Sequence, residues 1–438
     1  MNKIKSRTLI LIIFLLGNHL TVKAFDFEEL INISEKTDPQ LSSARNSREA
    51  AAKRLEQAST FINPNASFII NSAANSSRLI GIPGAETGRM NEGSKIASLT
   101  LTQPIFNPLR GLNIEEAKYQ QELETVKLLI IKNEIILRVT QTLIDISAAY
   151  SNSKSFSDEV NNIKNFILRI KQEDSSSDLS FYETRLIQSE SQEKISRNII
   201  RQRLRDLSRL SGSSDLTLSI EFDSSKLSSL DFSVPNLEAI LDLIDNRNLN
   251  LIHQRIEVNI FSANVKRALR DKYPTIDFFI NASTIKGMQG FPSARIEAAS
   301  FGIQINTPIG DGGISSVVRT EAVLQESRAK NELESLRKSI QQNASDLYHE
   351  INNGKVLIHA EQRAQGVREK WKSQLITASS SSMTETASTD LEETLAQLVN
   401  EREIGRLNRE AFMNQVRLWA LTGPLEKEKL TAIGSVFK

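Results

Sequence analysis

The chain has 438 residues, of which 39% are hydrophobic; none is cysteine, and the formal net charge is +1. That length and composition allow a large core held by packing rather than disulfides, and the near-neutral charge excludes the basic stripe of a nucleic-acid binder. The four histidines, His19, His253, His349 and His359, lack metal-ligand spacing, and no phosphate-cradling glycine loop is present, so neither a cofactor nor an enzymatic reaction is expected.

Residues 1–24 have the layout of a cleavable export signal: a basic start, the apolar run Leu9 to Leu16, and a small-residue ending at Ala24. The run is too short to span a bilayer as a helix. The same segment reads alternatively as a retained N-terminal anchor. Its four basic residues (Lys3, Lys5, Arg7, Lys23) are matched by no acidic one, so without it 50 basic side chains face 53 acidic ones. With no cysteine to carry a thioether-linked lipid, no lipid anchor is expected.

Few Gly and Pro interrupt the chain beyond residue 24, and long helices result. The first is predicted over Phe27 to Phe61, stopped by Pro64. A much longer one is predicted from Leu112 to Lys171, with Leu123, Val126, Ile130, Leu137 and Ile144 on a heptad-like stripe that Asn133 and Thr140 complete. A third, Leu179 to Leu210, ends at Gly212. After a Ser- and Asp-rich connector the series repeats. Helices are predicted over Leu237 to Arg270, over Ser315 to Thr377 with a weak point at Gly354, and over Leu391 to Leu421 before Gly423.

Landmarks pair across the two series. Pro64 answers Pro274, Gly212 answers Gly423, Asp178-Leu179 answers Asp390-Leu391, and Pro104 answers Pro308, all with offsets of 204 to 212. One order and a nearly constant offset indicate an internal duplication; a period this long makes two structural halves, not a solenoid. The resulting division is a signal at 1–24, a first repeat at 25–212, a connector at 213–236, a second repeat at 237–423 and a tail at 424–438.

Each half carries two candidate strands, 65–73 and 96–104 in the first, 275–284 and 298–307 in the second. Each is about the length of a tilted membrane-spanning strand. Leu99 and Leu101 share one face; so do Ile276, Phe278 and Ile280, and Phe301, Ile303 and Ile305, which makes these the lipid-facing candidates. An antiparallel sheet packed on a soluble core produces the same alternation. Four strands cannot close a water-filled barrel, whereas three chains supplying twelve can, and closure removes every exposed edge.

The motifs "LTQPIFNP" after the second strand, "INTPIGDGG" after the fourth, and the helix ends "LSG" and "LTG" resemble those of the outer-membrane efflux protein family, the TolC-like exit ducts. The resemblance covers nearly the whole chain beyond residue 24. It implies an α+β membrane protein: a homotrimer whose 12-stranded outer-membrane β-barrel, four strands per chain, continues as a long α-helical periplasmic tunnel. Pro104, Phe106, Pro308, Gly312 and Gly313 would form the barrel–tunnel junction, with Gly310 standing where the family carries a bulky residue. The implied partners are a periplasmic adaptor (membrane fusion protein), an inner-membrane ABC transporter or proton-driven pump, and outer-membrane lipid, with no nucleic acid.

The helices must turn back at the far, periplasmic end, in "EDSSSDLSFYETRL" and "ASSSSMTETASTDLEETL". Asp178 and Asp390, each before a Leu, read as helix N-caps. The resemblance implies an adaptor-contacting, narrowed tip lined by carboxylates. Asp174, Asp178, Glu385 and Asp390 are the aperture candidates; Ser175, Ser176, Ser177, Leu179, Ser380, Ser381, Ser382 and Leu391 are the adaptor-contact candidates. The acidic residues also read simply as capping and dipole partners. The expected role is an outer-membrane exit duct, for type I protein secretion or alternatively for small-molecule efflux. A periplasmic coiled-coil adaptor or structural protein is the reading of another class.

Overall fold

The computed structural model describes residues 27–78, 89–173, 179–212, 222–223, 236–288, 291–378 and 383–437. The proposed signal at 1–24 and most of the connector lie outside these residues. The helices are α1 (Phe27–Thr37), α2 (Pro39–Ser59), α3 (Arg110–Glu173), α4 (Ser180–Ser211), α5 (Leu237–Arg247), α6 (Leu249–Arg270), α7 (Ile314–Ala378), α8 (Met383–Leu421) and α9 (Lys427–Gly434). Among the described residues, no helix is long and apolar enough to cross a membrane. At 64 and 65 residues, α3 and α7 are each about 96 Å long at about 1.5 Å per residue.

The two helices predicted as single over 27–61 and 237–270 are each broken. In the first, the Asp38 carboxylate accepts the amide hydrogens of Gln40 and Leu41 at 2.8 and 3.1 Å, and Pro39 sits where no N–H is needed. In the second, Asn248 accepts those of Asn250 and Leu251 at 3.0 and 3.1 Å. Each cap starts a new helix while its backbone ends the old one, a device that hydrophobic periodicity does not register.

Four strands, β1 (Asn65–Arg78), β2 (Arg89–Phe106), β3 (Thr275–Met288) and β4 (Phe291–Asn306), form one antiparallel sheet in the order β1-β2-β3-β4. They extend well past the predicted outer ends at residues 73, 96, 284 and 298. Those extensions, such as Arg89–Gly93 opposite Ala74–Arg78, lack clean alternation, and the ladder itself holds them. Pairing of β2 with β3 joins the two halves of the chain.

The internal symmetry is visible in the caps. The Thr37 hydroxyl donates to the Leu210 carbonyl near the end of α4 at 3.2 Å, and the Asn248 amide donates to the Leu421 carbonyl at the end of α8 at 2.8 Å. Both contacts tie the end of a half's first helix to the end of its last, and 248 − 37 and 421 − 210 are both 211. Gly212 follows α4 in the left-handed conformation, with φ 65°, and a Cβ there would lie 2.7 Å from Thr37 Cγ2. Glycine is required on both counts.

The main core gathers α1, α2, α3, α4, α8 and α9 around Ile31, Leu41, Ile135, Leu143, Leu207 and Phe412. Its centre on α3 is shifted from the predicted stripe: Asn133, Thr140 and Ile144 are buried, but Leu123, Val126, Ile130 and Leu137 are only half-buried. Helices pack on several sides of this part of α3, so burial there exceeds one stripe. The tail is structured. Ile433, Val436 and Phe437 are buried, and Phe437 meets Phe27, Phe222 and Phe412. Asn133 clamps this tail, donating to the Gly423 carbonyl and accepting from the Leu425 amide, both at 3.0 Å. Helix α7 runs unbroken through Gly354, where a Cβ would lie 3.7 Å from the Ala411 Cβ on α8; the predicted weak point is a close helix–helix approach.

Candidate functional site

The sheet register places all eight lipid-facing candidates on one face. Leu99 pairs with Ala282 and Leu101 with Ile280; Ile280 pairs with Phe301, Phe278 with Ile303, and Ile276 with Ile305. Phe68 and Ile70 of β1 lie on this face too, opposite Leu99 and Ala97. No residue of β1 was among the lipid-facing candidates, because its apolar run Phe68-Ile69-Ile70 hides the alternation; only pairing reveals which residues share the face. Phe301 is 80% exposed, and Phe68, Ile303 and Ile305 are also well exposed. A contiguous apolar surface of this kind is a contact surface.

The opposite face is polar. Asn281 donates to the Thr100 hydroxyl at 2.8 Å, Ser98 pairs with Ser283, and Asp277 with Gln304. Phe279 interrupts this face but lies against Gly302, where a Cβ would be 3.3 Å from its ring. The sheet leaves β1 and β4 at its edges with one ladder partner each.

At the junction the two halves differ. Pro104 lies inside β2, opposite Asp277, and the ladder slips between Pro104 and Phe106, so the proline makes a bulge two residues before the strand ends. It was expected at the strand's end. Phe106 then pairs with Ile276. Pro308 lies beyond β4, and Gly312 and Gly313 turn the chain with φ 64° and 91°. Gly310 has no atom within 4 Å of the site of a Cβ, so the space of the missing bulky side chain is open. In the first half, Asn107 accepts the Leu109 amide at 2.9 Å before α3 begins. In the second, Asp311 accepts the amides of Gly313 and Ser315 at 3.0 and 2.9 Å and is bonded by the Ser315 hydroxyl. These bonds, the Ser315 hydroxyl foremost, lower the Asp311 carboxyl to about 2. The sequence reading missed Asp311, although an Asp just ahead of a helix start is a capping signal.

At the other end, Asp174, Ser175, Ser176, Ser177, Asp178, Ser380, Ser381 and Ser382 lie outside the described residues. Glu385 lies on α8. Asp390 is exposed and inside α8, which starts at Met383; it is not the predicted N-cap. At the start of α4 the capping position is Leu179, whose side chain makes no capping bond. Leu179 and Leu391 are both buried, in one cluster with Ile163, Phe166, Ile170 and Leu395. They hold the tip together from within, so they are withdrawn as surface contacts for an adaptor.

Further up, a second feature escaped sequence reading. Glu159 of α3, 4% exposed, receives Arg402 of α8 at 3.0 Å and Arg185 of α4 at 3.3 Å. Arg402 also donates to the Ser155 hydroxyl at 2.8 Å and lies over the Phe156 ring, 4.3 Å from its centre. One carboxylate thus ties three helices near the tip. Its partners are 26 and 243 residues away in sequence, which no local motif announces.

No family model and no curated protein matches the chain. Solved structures do. The transmembrane channel protein CusC superposes with a TM-score of 0.74 at 14% identity, over 91% of this chain and 92% of that one. The outer membrane protein VceC of Vibrio cholerae gives 0.71 at 14% identity, over 91% and 97%. The MtrE outer membrane channel of Neisseria gonorrhoeae, in its open state, gives 0.71 at 15% identity, over 92% and 90%. Over about nine-tenths of its length the chain therefore has the fold of these outer-membrane channels.

Proposed function

We propose that three copies of this chain form an outer-membrane exit duct that conducts substrate passively from the periplasm to the exterior. The observation that carries the reading is the sheet: four strands, one apolar exposed face, one polar face, and two open edges. Pairing β4 of one chain with β1 of the next removes those edges, and three chains make a twelve-stranded barrel with lipid outside and water inside. Exposed apolar positions on the helices, among them Val317 and Leu324 of α7 and Ile187 and Ile195 of α4, supply surfaces for neighbouring chains along the tunnel. That outer-membrane channels share the fold adds support.

The duct has no energy source of its own in this reading. It opens when a periplasmic adaptor and an inner-membrane transporter engage the tip and favour an open arrangement of the helix pairs, by binding that arrangement more tightly. Asp174, Asp178, Glu385 and Asp390 are the proposed aperture carboxylates, and the serines of both tips the adaptor contacts. The finer assignment, protein cargo delivered by an ABC transporter, rests on the cysteine-free sequence, since lipid-linked cysteine is common among drug-efflux ducts of this fold.

Electron microscopy of the full chain extracted from the outer membrane tests the proposal. The expected particle is a three-fold tube about 120 to 140 Å long, from the long helices plus a membrane barrel. A compact monomer or an open fibre would overturn it and favour an adaptor or structural role.

A further inference from the structure

At the end of the apolar face away from the helices, three cations stand side by side. Lys95 of β2 pairs with Lys286 of β3, and Lys286 pairs with Arg295 of β4. All three are exposed. Directly opposed residues on neighbouring strands have Cβ atoms only about 4.5–5.5 Å apart, and like charges so placed repel. One carboxylate on this face moderates the row: Glu297 meets Arg295 at 2.6 Å. The row keeps a net charge of +2, a local cost that a bound anion would remove.

Two further observations give the site a shape. A bulge follows Lys286: Gly287 has φ 76°, and a Cβ there would lie 2.0 Å from the Gly93 carbonyl oxygen, so the backbones of β2 and β3 touch where the ladder slips. Bulges of this kind re-aim neighbouring side chains. Toward the helices, the same face sinks into a depression floored by Ala97, Ala282 and Ala299 beside Phe68 and Leu99. Between the cations and Ala282 and Ala299 runs the row of Ala97, Thr284 and Glu297, whose carboxylate is held on Arg295; a hydrocarbon chain fits the alanines beyond it.

The height of the row fixes the partner. Ten residues of β3 separate Ile276, beside the junction, from Lys286. At about 3.4 Å per residue and a tilt of about 40°, that is about 26 Å, close to the roughly 25 Å apolar band of an outer-membrane barrel. We infer that Lys95, Lys286 and Arg295 bind the phosphate of a phosphorylated lipid in the outer leaflet, with one acyl chain lying on the Ala97–Ala282–Ala299 floor. The inference rests on the sheet being part of a membrane barrel, and each chain would supply a complete site.

The test uses the full-length protein, purified as assembled channels, and native mass spectrometry with added diphosphoryl lipid A or its dephosphorylated form. The expected result is retention of the phosphorylated lipid, at up to one per chain, at least tenfold better than the dephosphorylated one. Lys95→Gln with Lys286→Gln should lower that retention at least tenfold, and Ala282→Leu with Ala299→Leu should lower it with the cations intact. Conductance of each variant in planar bilayers is recorded in parallel. Conducting channels that retain both lipids equally, or whose retention is unchanged in the cation variant, would overturn the site. Wild-type protein that forms no channels would overturn the barrel reading itself. Displacement of the lipid by inorganic phosphate alone would remove the acyl floor from the inference.

Discussion

Phe301 and Ser300 are neighbours in β4 that point to opposite faces, and an arginine at each separates lipid from lumen. Phe301 lies on the row of Leu101 and Ile280, four residues along β3 from Ile276 at the junction. That is about 14 Å along the strand and about 10 Å in height at a tilt of about 40°, within the middle of a roughly 25 Å band. An arginine at that depth on a lipid face costs about 2–4 kcal/mol, so three copies cost about 6–12 kcal/mol per barrel. The lower bound for one copy is already about thirtyfold in an equilibrium. Ser300, opposite Asn281 on the polar face, carries no such penalty when changed. The assay is the fraction of detergent-resistant trimer in the outer membrane. Phe301→Arg is expected to lose at least nine-tenths of it, while Ser300→Arg stays near wild type. Equal losses, or a larger loss for Ser300→Arg, would refute the assignment of faces.

Asn133→Ala leaves the buried Gly423 carbonyl and Leu425 amide without partners, at about 1–3 kcal/mol each; amide exchange across residues 425–437 should accelerate, and unchanged protection would contradict the clamp. Glu159→Gln removes the charge that holds Arg185 and Arg402. Because both arginines keep some exposure, a loss of about 1–3 kcal/mol is expected, read as longer open times in single-channel recording; identical gating would mean that the tie between the three helices has no bearing on opening. Asp311 is held at about 2, below its ordinary value, so it contributes stability above the unfolded carboxylate range and loses it as pH falls from about 4 toward 2. Protection of the amides at the start of α7, taken as exchange relative to the intrinsic rate at each pH, should fall in wild type as pH drops from about 4 to 2.5 and stay nearly constant in Asp311→Asn; parallel profiles would sink the cap.

The linear sequence determined the long helices, the two-fold repeat and the alternating strands, because each is written in local chemistry. Gly and Pro are sparse within the helices, helix-ending glycines recur at Gly212 and Gly423, and apolar residues alternate at Phe301, Ile303 and Ile305. The breaks at Asp38 and Asn248 were equally local but depend on one side chain accepting two amide hydrogens, which hydropathy does not encode. Other features belong to the tertiary structure alone. Register decided that Phe68 and Ile70 share a face with Leu99 and that Lys95, Lys286 and Arg295 stand in a row. Packing decided that Leu179 and Leu391 are buried and that Glu159 meets two arginines from distant helices. The physical reason is range: a helix or strand is specified by neighbours within a turn or two, whereas pairing and burial are set by groups that only folding brings within bonding distance.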